Sequence, residues 1–157
     1  MNWDAVGAVA ELLGGAATVA TLAYLAIQIR QASAATRAHI RQSMADGQIH
    51  YVNSRAIDPF LRRVTQKAFS RQELDEDERY GLQMHLVAHL RLFENHFAQY
   101  ALGTLDEEDW RTQRELLRGL LRFGAYRQAY SFLGDVWNSE FAEEVESILV
   151  ETRVTAV

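Results

Sequence analysis

The sequence predicts an all-α protein: an N-terminal transmembrane helix that continues into a helical stalk, followed by a small cytoplasmic helical bundle. Three observations lead to this prediction. An apolar N-terminal segment is long enough to cross a bilayer, helical periodicity continues past its end, and the rest of the chain carries repeated helix-capping patterns with a single proline. Few Val/Ile clusters follow residue 30, which argues against a sheet. The predicted divisions are residues 1–29, 30–57 and 58–157.

The first element is the segment 6–29, in which Glu11 is the only Asp, Glu, Lys, Arg or His. A helix of this length covers about 36 Å, more than the roughly 30 Å of a bilayer core. A signal peptide would need a positively charged start, and the first four residues carry no Lys or Arg. A buried core helix is the other alternative, but it would be long for so small a domain. We therefore expect a single-pass helix in a lipid bilayer.

Residues that are polar or small, with the exception of one leucine, recur along one side of this helix at alternating steps of three and four. Because the mean spacing is about 3.5 residues, they share one face. We call this set the seam: Gly7, Glu11, Gly14, Thr18, Thr21, Leu25 and Gln28. Small residues let helices approach closely, and threonine hydroxyls hydrogen-bond across the contact. The seam therefore predicts a homo-oligomer.

Glu11 leaves several interpretations open, because an ionised carboxylate in hydrocarbon costs several kcal/mol. It can reach the outer interface or stay protonated. It can also hydrogen-bond between copies of the seam. In the alternative hypothesis, a homo-oligomeric ion or proton channel, a ring of Glu11 selects cations and the Glu11/Thr18/Thr21 face lines the pore.

The charge distribution predicts the orientation. No Lys or Arg precedes the anchor, whereas the membrane-proximal basic residues Arg30, Arg37 and Arg41 follow it. The positive-inside rule then places the N-terminus outside and the bundle in the cytoplasm. The chain has a formal net charge of -5 and its second half is acidic. Nucleic acid is therefore not an expected partner, whereas a cytoplasmic protein partner is.

Capping patterns divide the chain after residue 57. They comprise an N-cap with a first-turn proline at Asp58-Pro59, a capping box from Asp75 to Glu78, a terminating Gly103, a start at Asp106, an interruption at Gly124 and a last cap at Asn138. The helix after Gly124 is expected to run from Ala125 to about Val136. The anchor is expected to continue into a long cytoplasmic helix, with any break near residues 45–48. These patterns predict a bundle of antiparallel helical hairpins.

Two histidines are weak candidates for a metal site. His85 and His89 have the i, i+4 spacing of helical metal ligands. His96 lies eleven residues after His85, about 16 Å from it along the axis, too far to share one ion with both. The chain has no cysteine. We expect surface or interface histidines, no bound metal and no cofactor.

Glu94 is predicted to be a structural buried carboxylate, because it stands among apolar residues and needs a partner. The expected partner is an arginine of a neighbouring helix, such as Arg118, Arg122 or Arg127. No second acid, nucleophile or phosphate-binding loop completes a catalytic site around it. The expectation is therefore a protein that is not an enzyme. A catalytic or metal-dependent bundle using His85, His89 and Glu94 is a third hypothesis.

Both ends of the chain carry recognisable patterns. The N-terminal pattern is Trp3-Asp4-Ala5-Val6-Gly7 with Glu11 and residues 22–31, and the C-terminal pattern is Phe93-Glu94-Asn95, Gly103, Trp110 and Phe141. They resemble a family of small, uncharacterised bacterial single-pass membrane proteins. The resemblance implies a bacterial inner-membrane protein with a helical cytoplasmic domain, and it supplies no activity. The combined prediction is a non-enzymatic, membrane-anchored protein that self-assembles through the seam and presents a cytoplasmic interaction or scaffolding domain.

Overall fold

The computed structural model describes residues 3–154, which form α-helices and one short 3₁₀ turn and contain no strand. The elements are α1 (Trp3–Ile57), α2 (Pro59–Phe69), α3 (Glu76–Ala101), α4 (Glu107–Leu121), α5 (Gly124–Leu133), the 3₁₀ turn (Gly134–Val136) and α6 (Ser139–Val154). The predicted all-α class is confirmed, with a long N-terminal helix followed by a smaller helical bundle.

The chain divides into two units, Met1–His39 and Ile40–Val157. In the first unit, every residue whose burial is described is exposed. The second unit begins inside α1, so residues 40–57 pack with the helices that follow them.

The predicted long helix is confirmed: α1 runs without interruption through residues 45–48, where any break was expected. The expectation rested on Gly47. That glycine lies against α3, where a Cβ built on it would meet the Leu92 side chain at 3.5 Å. Gly47 therefore belongs to a helix contact, and tertiary packing outweighs the low helix propensity of glycine.

Two of the predicted helix starts are confirmed by their capping hydrogen bonds. The Asp58 carboxylate accepts from the backbone N–H groups of Phe60 and Leu61 at 2.8 and 3.1 Å. At α3, Asp75 accepts from the Glu78 N–H at 2.8 Å, and Glu78 accepts from the Asp75 N–H at 3.2 Å. This reciprocal pair is the predicted capping box.

The remaining boundaries follow the same local rules with one difference. Asp106 accepts from the Asp109 N–H at 2.9 Å, and Gly103 has a φ of +71°, which ends the preceding helix. Asn138 caps α6 by accepting from the N–H of Phe141 at 3.3 Å. The helix expected to reach Val136 ends earlier, since Gly134 has a φ of +51° and begins the 3₁₀ turn.

The core of the second unit surrounds α3, which packs against α2, α4, α5 and α6. Its most deeply buried large side chains are Leu90, Phe93, Leu117, Leu121, Phe141 and Ile148. Full burial of one such side chain contributes about 1.5–3 kcal/mol. This core belongs to the second unit alone.

One close approach in this core involves a glycine. Gly81 of α3 faces the edge of the Phe60 ring of α2, and a Cβ at position 81 would overlap ring carbons. The absence of a side chain at Gly81 allows the aromatic ring to lie directly on the α3 backbone.

Candidate functional site

The seven seam residues all lie exposed on α1. Nothing comes within 4 Å of a Cβ built on Gly7 or Gly14. The seam is therefore an open face of the first unit.

Most polar groups of the seam are satisfied within the helix. The Thr18 hydroxyl donates to the Gly14 carbonyl at 2.9 Å, and the Thr21 hydroxyl donates to the Ala17 carbonyl at 2.8 Å. The Gln28 amide donates to the Tyr24 hydroxyl at 2.6 Å. Glu11 makes no hydrogen bond or ion pair within the described chain. It is thus the seam residue that most needs an external partner in an apolar environment.

The three membrane-proximal arginines have different surroundings. Arg30 and Arg37 are exposed and make no ion pair within the described residues. Arg41, in the second unit, donates to the Asp109 carboxylate at 2.6 Å and also binds Asp106. The hydrogen bond to Asp109 raises the pKa of Arg41. Arg41 therefore joins α1 to the start of α4.

Glu94 is partly buried and occupies a structural position. It accepts from the Arg91 guanidinium at 2.5 Å and from the backbone N–H of Asn138 at 2.7 Å. The expected arginines on neighbouring helices are not its partners: Arg118 pairs with Glu115, and Arg127 donates to the Leu121 carbonyl. The partner is instead Arg91, one turn away on the same helix. Glu94 also binds the backbone of Asn138, the N-cap residue of α6.

His85 and His89 are buried, with 9% and 8% exposure, so of the surface and interface positions expected for them the surface position is wrong. The ring of Tyr51 stacks on both, with centroid distances of 4.3 Å to His85 and 3.8 Å to His89. If both imidazoles lay on the same face of the Tyr51 ring at these distances, they would overlap each other. The Tyr51 ring therefore lies between the two imidazoles.

This stacking keeps the two imidazoles from converging on one ion. Nitrogen ligands of one zinc ion lie about 2 Å from the metal and hence within about 4 Å of each other. Across residues 3–154, no group of three His, Cys, Asp or Glu side chains could hold a metal ion.

His89 is instead part of a polar contact between three helices. Its Nδ1 lies 2.7 Å from the Tyr126 hydroxyl, and its Nε2 lies 3.3 Å from Oε1 of Gln48. These partners assign the neutral tautomer in which Nε2 donates to Gln48 and Nδ1 accepts from Tyr126. Burial, reinforced by nearby positive charge, lowers the pKa of His89 to about 4. The ring is therefore neutral at pH 7.

Next to this contact is an apolar pocket of about 220 Å³ within the second unit. Its walls come from α1, α2, α3, α4 and α5 and from the residue before α5. The lining residues are Tyr51, Arg55, Thr65, Ala68, Phe69, Leu82, His85, Leu86, Leu120, Phe123, Ala125 and Tyr126. Hydrophobic side chains dominate the set, and it contains no Asp or Glu.

Arg55 is the cation of this pocket. It is half-buried and makes no ion pair or hydrogen bond with the described part of the chain. Burial lowers the pKa of His85, and the positive charge of Arg55 lowers it further, against a smaller opposing effect of Asp58. The guanidinium is therefore close enough to influence the pocket wall while lacking a carboxylate partner.

Three lining residues carry buried polar atoms without a hydrogen bond of acceptable geometry: Tyr51 Oη, Thr65 Oγ1 and His85 Nε2. The Tyr51 hydroxyl is near the Tyr126 hydroxyl, and burial raises the pKa of both phenols. Unpartnered buried polar atoms are uncommon in folded proteins. Their concentration in the walls of one pocket makes the pocket the strongest candidate for a binding site.

The pocket was not predicted from the sequence. Tyr51 and Arg55 are spaced i, i+4 and therefore share a helix face, which was the available signal. That spacing does not indicate which histidine or tyrosine of a later helix the face will meet.

A scan against protein-family models, a search of curated proteins and a search of solved structures find no match for this chain. The resemblance to small bacterial membrane proteins stays a prediction.

Proposed function

We propose that this is a non-enzymatic, membrane-anchored protein whose anchor self-associates through the seam and whose second unit is an interaction or scaffolding module. The observation that carries the proposal is the exposed apolar surface of α1. Within residues 3–154, one helix is long and apolar enough to span a membrane, with an 18-residue window of mean hydropathy 1.7, none of it buried. An exposed apolar surface of this length is costly in water and favourable in lipid.

The seam supports self-association rather than simple anchoring. Gly7 and Gly14 leave the helix backbone open to a close neighbour. Glu11 on the same face gains a partner if two copies meet there. The following arginines Arg30 and Arg37 favour an outside N-terminus and a cytoplasmic second unit. A bacterial inner membrane is the location proposed from the family resemblance.

The first experiment tests membrane integration of the full chain. Membranes from expressing cells are extracted with alkaline carbonate, which releases peripheral proteins. We expect the wild-type chain to stay in the pellet and the double variant Val19→Arg/Leu22→Arg to be released, because each central arginine costs about 2.5–3.5 kcal/mol on insertion. The matched control Leu116→Arg/Val150→Arg changes two apolar residues of the second unit that are also more than half exposed, and it should stay in the pellet. Release of the wild-type chain would contradict the anchor.

The second experiment tests the seam by native mass spectrometry in detergent or nanodiscs. We expect a defined oligomer that Gly14→Ile and Glu11→Leu convert to smaller species. Gly15→Ile is the matched control: its Cβ also has open space around it, but it lies beside the seam. The proposal that the seam is the interface would be contradicted if the wild type were a monomer at every concentration. It would also be contradicted if Gly14→Ile and Gly15→Ile reduced the oligomer mass equally.

A channel is the second candidate function, and the seam position of the unpartnered Glu11 favours it. If copies of Glu11 surround a lumen, reconstituted protein should conduct cations, and Glu11→Gln should change the selectivity or the flux. Gln28→Leu, near the other end of the seam, tests whether the conducting face extends along the helix. Liposomes without flux, or flux indifferent to Glu11→Gln, would exclude this function.

A further inference from the structure

We propose that the pocket between Tyr51, Arg55 and His85 binds a small organic monocarboxylate with an apolar body. This site lies wholly in the second unit and goes beyond the anchor and the seam. It does not depend on the oligomeric state of the first unit.

The apolar walls define the body of the ligand. A cavity of about 150 Å³ lined by Leu, Ile and Phe is enough to bind benzene, and this pocket measures about 220 Å³. Phe69 and Phe123, both in the lining, are 71% and 56% exposed. Large exposed aromatic side chains beside a pocket are typical of a surface that a ligand covers. The volume suits one aromatic ring or a short alkyl chain.

Arg55 indicates that the polar group of the ligand is an anion. A guanidinium pairs with a carboxylate through two parallel hydrogen bonds, and Arg55 makes no other ion pair within the described residues. Because no acid lines the pocket, a carboxylate would meet no like charge in the lining. The lining contains no second Arg or Lys that could pair with a second carboxylate of the ligand. A ligand with a single negative charge therefore fits best.

The unpartnered polar atoms provide further hydrogen bonds. The Thr65 hydroxyl can donate, and a neutral His85 can donate from Nε2. Both residues line the pocket, but these two atoms are themselves buried. A ligand oxygen would therefore reach them only after a side-chain rotation. Such a contact would satisfy groups that lack hydrogen bonds in this structure.

The test uses 4-fluorophenylacetate as the probe and fluorine NMR as the readout, with the full chain in phosphatidylcholine nanodiscs. We expect saturable binding that Arg55→Gln weakens at least about tenfold, the range in which lost charged hydrogen bonds fall. Arg62→Gln, an exposed arginine outside the lining, is the matched control and should bind like the wild type. The neutral probe 4-fluorophenylacetamide should bind more weakly than the acid.

A second pair of variants tests the pocket itself. Ala125 lines the pocket and is exposed, so Ala125→Trp should fill the pocket and abolish binding without unfolding the helix. Ala98→Trp places the same side chain at an exposed position of α3 outside the lining, and it should leave binding intact. Circular dichroism checks that each variant is folded.

Four results would overturn the proposal. The first is no saturable binding of the acid beyond that of empty nanodiscs. The second is binding that Arg55→Gln and Ala125→Trp leave unchanged, and the third is equal binding of acid and amide. The fourth is loss of probe binding in nanodiscs that contain phosphatidylglycerol. This result would assign the site to an anionic lipid and overturn the proposal that its ligand is a soluble acid. Failure of the seam experiments leaves all these readouts interpretable.

Discussion

The ring of Tyr51 lies on the ring of His89, with 3.8 Å between centroids and 15° between planes. The contact joins α1 to α3 inside the second unit. Tyr51 covers one face of the imidazole, and the ring nitrogens have partners in Tyr126 and Gln48. His89 is therefore a neutral, buried histidine. The free energy of unfolding is expected to depend on pH because the unfolded chain can protonate this ring more easily than the folded chain can.

We expect stability to fall as the pH is lowered from about 6.5 to about 4. The pKa of His89 is about 4 in the folded chain against an ordinary 6.5, so in this window the unfolded chain takes up a proton that the folded chain does not. The loss for His89 is roughly 2–3 kcal/mol by pH 4. Burial also lowers the pKa values of His85 and His96, which add losses of the same sign.

The measurement is urea unfolding of the full chain in mild detergent across this pH range. His89→Gln, which cannot titrate, should flatten the profile. His50→Gln changes an exposed histidine of the same α1 helix that supplies Tyr51, and it should keep the wild-type profile. Identical pH profiles for wild type and His89→Gln would contradict the neutral buried imidazole.

A carboxylate gives a second pH effect. The Glu78 side chain is 5% exposed and accepts from Lys67 Nζ at 2.7 and 2.8 Å. The hydrogen bond from Lys67 lowers the pKa of Glu78. The stabilisation is therefore present above the ordinary glutamate pKa and is lost as the pH falls toward the lower folded value.

Glu78→Gln should lower the melting temperature at pH 7 by several degrees and reduce the dependence on acid pH. Glu76→Gln, at an exposed position of the same first turn, is the control and should behave like the wild type. If both variants shift the melting temperature equally, the buried ion pair is not the source of the effect.

Adjacent leucines of α4 test the core. Leu117 is fully buried, whereas Leu116 is 54% exposed. Leu117→Ala should reduce the free energy of unfolding by about 2–5 kcal/mol through lost burial and a cavity. Leu116→Ala should change it by no more than about 0.5 kcal/mol. Chemical unfolding monitored by circular dichroism measures both, and comparable losses would contradict the helix orientation.

The pocket wall predicts a stabilising substitution. Thr65 Oγ1 is buried without a hydrogen bond, so Thr65→Val should raise the free energy of unfolding by about 1 kcal/mol. Thr112→Val removes a hydroxyl that donates to the Glu108 carbonyl at 3.1 Å, and it should be neutral or mildly destabilising. Thermal unfolding of the two variants gives the comparison, and a clear loss at Thr65 would show that its hydroxyl has a stabilising partner.

The sequence was most informative where structure is decided locally. The caps at Asp58, Asp75 and Asp106 were predictable because each side chain bonds to a backbone N–H only two or three residues away. The apolar window of α1 was equally visible, since length and composition define it. The contact at Gly47 was not visible, because it depends on which helix lies opposite.

The candidate site shows the same limit. His85 and His89 were found by spacing, but their burial and the Tyr51 ring between them depend on a contact between distant parts of the chain. Glu94 was assigned a structural role, whereas its partner Arg91 could be found only from side-chain geometry. The i, i+4 spacing of Arg55 from Tyr51 was not enough to single it out among the other arginines.

The close approach of Gly81 to Phe60 has an evolutionary consequence. Within a helix, glycine is about 1 kcal/mol less favourable than alanine, so helix stability alone would favour alanine at this position. At position 81 replacement has to displace the aromatic ring of α2. Related chains should therefore retain glycine wherever residue 60 is aromatic and admit alanine at 81 only alongside a smaller residue at 60, so that the two positions change together.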